Sequence, residues 1–410
     1  MIQTIRKAWG VPELRKKIVF TLLILLIFRL GNAIPVPYIN TTLLGNYLDS
    51  MSGTVLGLYN VMSGGAFAEA TVFALGVQPY INSSIIIQLL TIAIPALERL
   101  ARDGGEAGKK KIASITRYAT VAIALLQGFG YYMICKNYNI LEQQGIWPAL
   151  VIIVSFVAGS SFVMWLGEQV NEFGVGNGIS IILFAGILSR VPNMITMAGS
   201  YIRGKGSIGY LWVALLLIGM LAMVVLIVHV NEAERRIPVQ YAKRVVGRKM
   251  YGGQSTFIPL KLLSVGVLPL IFAYSFMAFP GTIFAMFGTN SGAYVWWSTH
   301  MNQTTFWYML VCALLILAFS YFYTAITFNP QDIAKNIQQQ GGHIPGIRSG
   351  AKTVEFLSRT SNRLTLFAAL FLAILSTIPS LLTVWQQVAI PFGASSILIA
   401  VSVAIETVRS

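Results

Sequence analysis

Nine stretches of this chain are each about twenty residues long and almost wholly apolar, the length an α-helix needs to cross a bilayer. They are 18–36, 76–96, 115–135, 148–166, 210–230, 262–287, 305–326, 364–385 and 388–405. Only 10% of the 410 residues are charged, where a soluble domain carries about 25%. Mean hydropathy is +0.70, and no polar tract is long enough for a large soluble domain. The chain therefore reads as an integral membrane protein of many spans. Cys135 and Cys312 sit in separate apolar runs and read as packing residues rather than a disulfide.

A tenth candidate, 178–195, contains "GISIILFAGIL" but is short and is followed by Arg190 and Pro192. Charge decides it. Loop 97–117 holds Arg99, Arg102, Lys109, Lys110, Lys111 and Arg117. Loop 231–261 holds Arg235, Arg236, Lys243, Arg244, Arg248, Lys249 and Lys261, and loop 327–363 holds Lys335, Arg348, Lys352, Arg359 and Arg363. Short loops rich in Lys and Arg stay cytoplasmic, so an even number of spans separates them. Counting 178–195 gives four between the first two loops; omitting it gives three. The expectation is ten spans with both termini cytoplasmic. The inside then collects 24 basic residues, and the outside has Lys136, Arg190, Arg203 and Lys205. A cleaved leader over residues 1–33 fits less well, because Arg29 interrupts its apolar core and the topology uses that span.

Ten spans divide into five and five, 1–195 and 196–410, and an odd number inverts the second half relative to the first. "GVQPYI" (76–81) opens the second span, and "GVLPLI" (266–271) lies in the second span of the second half. Inverted repeats with Gly/Pro-broken segments at matching places put their working site at the interface near the midplane. A single hexapeptide match is also compatible with the general abundance of Gly and Pro in membrane helices.

Ionisable residues are almost missing from the spans. Arg29 is the exception; His229 lies at a span end, and His300 and His343 lie in loops. The sequence has no paired carboxylates, no metal-ligand cluster and no phosphate loop. No enzyme activity, cofactor or metal is expected. What stands beside the broken segments is aliphatic: Val77 and Ile81 at i, i+4, Ile179 and Leu183 at the same spacing, and Ile271 after Pro269. Spacing alone does not separate a pore lining from a lipid-facing stripe. The stretch "GLYNVMSGGAFAEATVFALG" (57–76) is apolar, broken by Gly64-Gly65 and charged by Glu69, and its apolar runs are too short to cross. Such a segment is tolerated at membrane depth only inside protein or a wet cavity; the alternative is an amphipathic loop on the membrane surface.

Seven segments carry a family resemblance: "FRLGNAIPVP" (28–37), "NVMSGGAF" (60–67), "FALGVQPYINSSIIIQLLT" (73–91), "MWLGEQVNEFGVGNGISIILFAGI" (164–187), "RRIPVQYAKR" (235–244), "FNPQDIAKN" (328–336) and "HIPGIRSG" (343–350). In this order they resemble the bacterial SecY family, the channel-forming subunits of the Sec protein translocase. Members of that family continue past the tenth span into a short basic tail, whereas this chain ends at Ser410.

The resemblance implies an all-α integral membrane protein, ten transmembrane helices in two inverted five-helix halves, that conducts unfolded polypeptides and releases membrane segments sideways into lipid. It implies a waist ring of Val77, Ile81, Ile179, Leu183, Ile271 and Ile399. It implies a plug at about 57–70, including Tyr59, Asn60, Val61, Met62, Ser63, Gly64, Gly65, Ala66 and Phe67. A lateral gate is expected between the second and third spans and the seventh and eighth. Its polar contacts would be Ser83, Ser84, Gln88, Gln127 and Ser275, with ordinary interhelical bonding as the competing reading. Pro280 and Gly281 would loosen the seventh span.

"RRIPVQYA" and "QSTFIPLKL" read as strands flanking a basic tip. Arg235, Arg236, Lys243, Arg244, Arg248, Lys249 and Arg348 are the expected partner-binding residues, unless these charges only set topology. The implied partners are the SecE and SecG membrane subunits, the SecA ATPase, the ribosome, signal peptides, unfolded preproteins and membrane lipid. The implied location is the bacterial inner membrane. A transporter of small solutes would use inverted repeats equally well, but the lack of intramembrane carboxylates argues against it.

Overall fold

The structure is a computed structural model. It describes residues 9–50, 60, 63–102, 104–189, 207–241, 244–246, 249–251, 255–263, 266, 268–286, 291–302, 305–386 and 394–409, with 191–192, 195–196, 199 and 202–203 between. A helix occupies each of the ten expected segments. These are α1 (Pro12–Gly31), α3 (Gln78–Ala93), α5 (Gly105–Asn137), α6 (Ile146–Phe173), α7 (Gly178–Leu188), α8 (Ser207–Glu232), α9 (Leu268–Met286), α11 (Phe306–Thr327), α13 (Ala351–Gln386) and α14 (Ala394–Arg409). Shorter helices lie between them: α2 (Thr41–Ser50), α4 (Pro95–Arg102), α10 (Gly292–His300) and α12 (Pro330–Gln339).

Several helices overrun the apolar stretches that announced them. α5 begins at Gly105, ten residues before the expected span, and carries Arg117 within its length, where its Nε bonds Glu168 of α6 at 2.8 Å. α13 begins at Ala351, thirteen residues before its apolar stretch. Helix geometry does not stop at the hydrocarbon boundary, whereas hydropathy does. Among the described residues, five segments are long and apolar enough to cross a bilayer unaided: α5, α6, most of α8, α11 with α12, and most of α13. α3 and α4 form a broken pair bent by 105°. The break falls at Ile94, which is extended (ψ 110°) because the ring of Pro95 excludes the helical conformation from the residue before it. α7 has only 11 residues, about 16 Å of helix, roughly half the hydrocarbon thickness. Its start is set by Asn177, whose side chain accepts from the N–H groups of Ile179 and Ser180.

α1 packs on α6 and α7, α3 on α5, α5 on α6, and α6 on α7. In the second group α8 packs on α14, α9 on α11, α11 on α13, and α13 on α14. The principal contacts between the two groups run from α9 to α3 and α5, and from α14 to α7. The two halves thus meet through α9 and α14.

The two copies of the hexapeptide open on the same glycine geometry. Gly76 (φ 53°) and Gly266 (φ 61°) are left-handed, a region that a side chain makes costly. Gly76 N–H donates to Phe73 O at 2.8 Å and Gly266 N–H to Leu263 O at 3.1 Å, the same i to i−3 turn. Each turn releases the chain into a helix with proline at its second position, Pro79 in α3 and Pro269 in α9, where the missing N–H is harmless.

Loop 231–261 forms the expected strands. β1 (Glu234–Tyr241) pairs antiparallel with β4 (Ser255–Lys261), with Ile237 opposite Ile258. The tip carries its own hairpin of β2 (Arg244–Val246) and β3 (Lys249–Tyr251). β5 (Gly342–His343) adds to the other edge of β1. Ile237, Val239 and Leu260 bury with Ala334 and Ile337 of α12, Ile344, and Leu357 of α13. Both large basic loops therefore share one small core.

Candidate functional site

The six aliphatic positions come from four helices and both halves. Val77 is the N-cap of α3, Ile81 lies one turn on, Ile179 and Leu183 lie on α7, Ile271 on α9 and Ile399 on α14. Val77, Ile81, Leu183, Ile271 and Ile399 are each no more than 6% exposed and belong to one buried apolar cluster; Ile179 packs against it half-buried. The α3–α9 and α7–α14 contacts described above bring them together. Residues 77 and 399, more than 300 positions apart, share one apolar cluster.

Of the expected plug, Tyr59, Val61 and Met62 lie outside the described residues; Asn60 and 63–70 lie within them. Residues 63–70 form consecutive turns, and Ser63, Ala66 and Phe67 are buried. The segment ties itself together: the Asn60 side chain accepts from Ala68 N–H at 3.0 Å, and Ser63 Oγ accepts from Phe67 N–H at 3.0 Å. It is also tied to its surroundings. Tyr131 of α5 donates to Phe67 O at 2.7 Å, and the two rings meet edge to face at 4.7 Å. Ser189, the C-cap of α7, donates to Gly64 O at 3.3 Å. The segment therefore sits against the helix that carries Ile179 and Leu183. Gly64 is required there twice over. Its φ is 71°, and a Cβ would stand 2.8 Å from both Gly186 O and Ser189 Oγ.

α9 touches α3 and α5 where the gate was expected. Among the described residues, one of the five expected polar residues bonds across these helices. Ser275 Oγ donates to Gln78 Oε1 at 3.4 Å, both buried. Gln78 was missed by sequence reasoning, because nothing in a lone Gln beside Pro79 announces its partner on α9. Ser83 Oγ donates to Pro79 O at 2.7 Å and Gln88 Nε2 to Ser84 Oγ at 3.4 Å, both within α3. Gln127 is 4% exposed, and neither amide atom has a hydrogen-bond partner among the described residues. Asn82, also unannounced, is buried on α3, and its Nδ2 has no hydrogen-bond partner among the described residues.

Arg235 and Arg236 are exposed on β1. Arg236 Nε bonds Glu234 at 2.7 Å and its guanidinium lies 5.4 Å over the Phe257 ring. Arg244 and Lys249 sit on the β2–β3 hairpin; Lys243 and Arg248 lie outside the described residues. Arg348 is exposed on the turn after β5, held by Thr353 Oγ1 donating to its carbonyl at 3.1 Å. Among the described residues no group of three or more His, Cys, Asp or Glu is placed to hold a metal.

The SecY family model matches residues 71–408. A protein translocase subunit SecY from Streptomyces galbus is 40% identical over all of this chain and 96% of its own. The chain belongs to the SecY family. SecY chains are translocase subunits, not catalysts. Among solved structures, a protein-conducting channel superposes with a TM-score of 0.66 at 18% identity, covering 99% of this chain and 95% of its own. Sec61 of a canine ribosome–channel complex from the endoplasmic reticulum superposes with a TM-score of 0.61 at 16% identity, with the same coverage. At those identities the likeness speaks for the fold: the chain shares the helical architecture of those membrane channels.

Proposed function

We infer that the chain is a protein-conducting channel that passes unfolded polypeptides across a membrane. The observation that carries this is the convergence of six aliphatic side chains from both halves into one cluster, with the 63–70 segment seated on α7 beside them. A ring of methyl-bearing groups suits a client of arbitrary sequence, because it offers no polar site to hold a passing chain. Empty, such a constriction is dewetted and blocks ions.

The two halves, 1–195 and 196–410, act as the walls. Residues 57–70 are the plug, and the α3/α5–α9 seam is the lateral gate. A signal sequence with about ten apolar residues gains roughly 3–6 kcal/mol on entering lipid, at about 0.3–0.6 each. A polar contact such as Ser275–Gln78 does not by itself outweigh that, since a buried neutral hydrogen bond contributes about 1 kcal/mol net. The chain has no nucleotide-binding motif, so the energy comes from a partner. The exposed Arg235, Arg236 and Arg348 on their shared platform form a positive surface for the SecA motor or for ribosomal RNA. SecE and SecG are the membrane partners, and the location is the bacterial inner membrane with both termini cytoplasmic.

Single cysteines at Ile81, Ile179 and Ile271 test the channel directly. Each should crosslink to a secretory chain arrested in transit. Crosslinks confined to cysteines on exposed outer positions such as Leu217 would overturn the reading.

A further inference from the structure

Helix α10 lies in the chain between the end of α9 and the start of α11, the two helix ends that do not lead into the basic loops 231–261 and 327–363, and it has two faces. Tyr294, Trp297 and Met301 point inward at helical spacing: Tyr294 packs against one apolar cluster and Met301 against the other. Val295 and Trp296 face outward, 50% and 53% exposed. Residues 291–302 contain no Asp, Glu, Lys or Arg. His300 stacks on Trp296 at 5.1 Å, with Nδ1 3.0 Å from Trp296 O. At the neighbouring start of α11, Phe306 and Trp307 are also exposed, so the bare aromatic surface continues onto a spanning helix.

We propose that the outer face of α10 lies in the headgroup boundary of the leaflet opposite the basic loops, anchored there by Trp296 and Val295. The partner is the bilayer surface itself. An uncharged helix whose free face is Trp beside Val suits that boundary, where an amphipathic ring keeps its N–H wet and its body in hydrocarbon. An acidic or basic protein partner has nothing to pair with on this face.

The inner face reaches the seventh span at its weakest point. Trp297 meets Phe284 of α9 edge to face at 5.7 Å, and its Nε1 lies 3.0 Å from where a Cβ on Gly281 would stand. Pro280, beside it, removes a backbone hydrogen bond from α9. α10 is thus a brace between the leaflet and the Pro280–Gly281 hinge. The brace, unlike the anchor, rests on reading α9 as a gate helix.

The protein, reconstituted into liposomes with its copurifying membrane partners, is spin-labelled at Trp296→Cys. Label accessibility to oxygen should exceed that to a polar nickel reagent, at a ratio between that of Leu217→Cys and that of Arg348→Cys. A ratio matching Arg348→Cys overturns the anchor. In bilayer recordings Trp297→Ala should raise spontaneous opening several-fold. Unchanged opening, with the label still at interfacial depth, overturns the brace alone, and the crosslinks above judge the channel separately.

Discussion

Gly76 and Gly266 hold the same left-handed turn, each two residues ahead of a helix that opens with proline in second place. The turns place Ile81 and Ile271, five residues on in each case, in one apolar cluster. A repeated hexapeptide has become a repeated piece of geometry at the centre of the molecule. Gly76→Ala and Gly266→Ala should each destabilise the protein, by about 1–2 kcal/mol for a side chain forced left-handed. Thermal unfolding in detergent reads this. A Gly266→Ala protein that melts with the parent would deny the equivalence of the two turns.

Widening the proposed waist should make the channel leak. Ile81→Gly with Ile179→Gly removes two branched side chains, one partly and one fully buried, and admits water. Single-channel conductance in planar bilayers should rise from near zero to a persistent open level. Parent-like silence would show that these residues do not form the seal.

The seat of the proposed plug depends on small contacts. Tyr131→Phe keeps the ring on Phe67 but loses the 2.7 Å bond to its carbonyl, about 1 kcal/mol. Gly64→Ala adds backbone strain and a clash with Gly186. Spontaneous openings should grow more frequent in the order parent, Tyr131→Phe, Gly64→Ala. The reverse order would mean that the 63–70 segment does not hold the channel shut.

At the proposed gate, Gln127 is buried with an amide that has no partner among the described residues, which costs about 1–3 kcal/mol. Gln127→Leu removes that cost and favours the closed arrangement of α5 against α9. Melting temperature should rise, and insertion of a weakly hydrophobic signal should slow several-fold. Faster insertion would place Gln127 outside the gate.

Arg348→Glu reverses an exposed charge on the turn beside the β-sheet platform, with no buried contact to lose. Motor-driven translocation should fall at least tenfold while signal-independent ion conductance stays at the parent level. Normal motor-driven rates would assign the charge to topology alone.

What the residues announced on their own were quantities summed over a local window. Twenty apolar residues cross hydrocarbon wherever they are placed, and basic loops stay on one side. A helix occupies each of the ten expected segments, though not always over its whole length, and the "RRIPVQYA" and "QSTFIPLKL" strands pair. The helix ends drifted because α5 and α13 run on past the membrane boundary that hydropathy detects. The side-chain partnerships were decided by packing between distant elements. Ser275 finds Gln78 across 197 positions, and Ser189 finds Gly64 across 125. No local pattern encodes them, because a buried hydroxyl bonds whichever acceptor the crossing of two helices brings within reach.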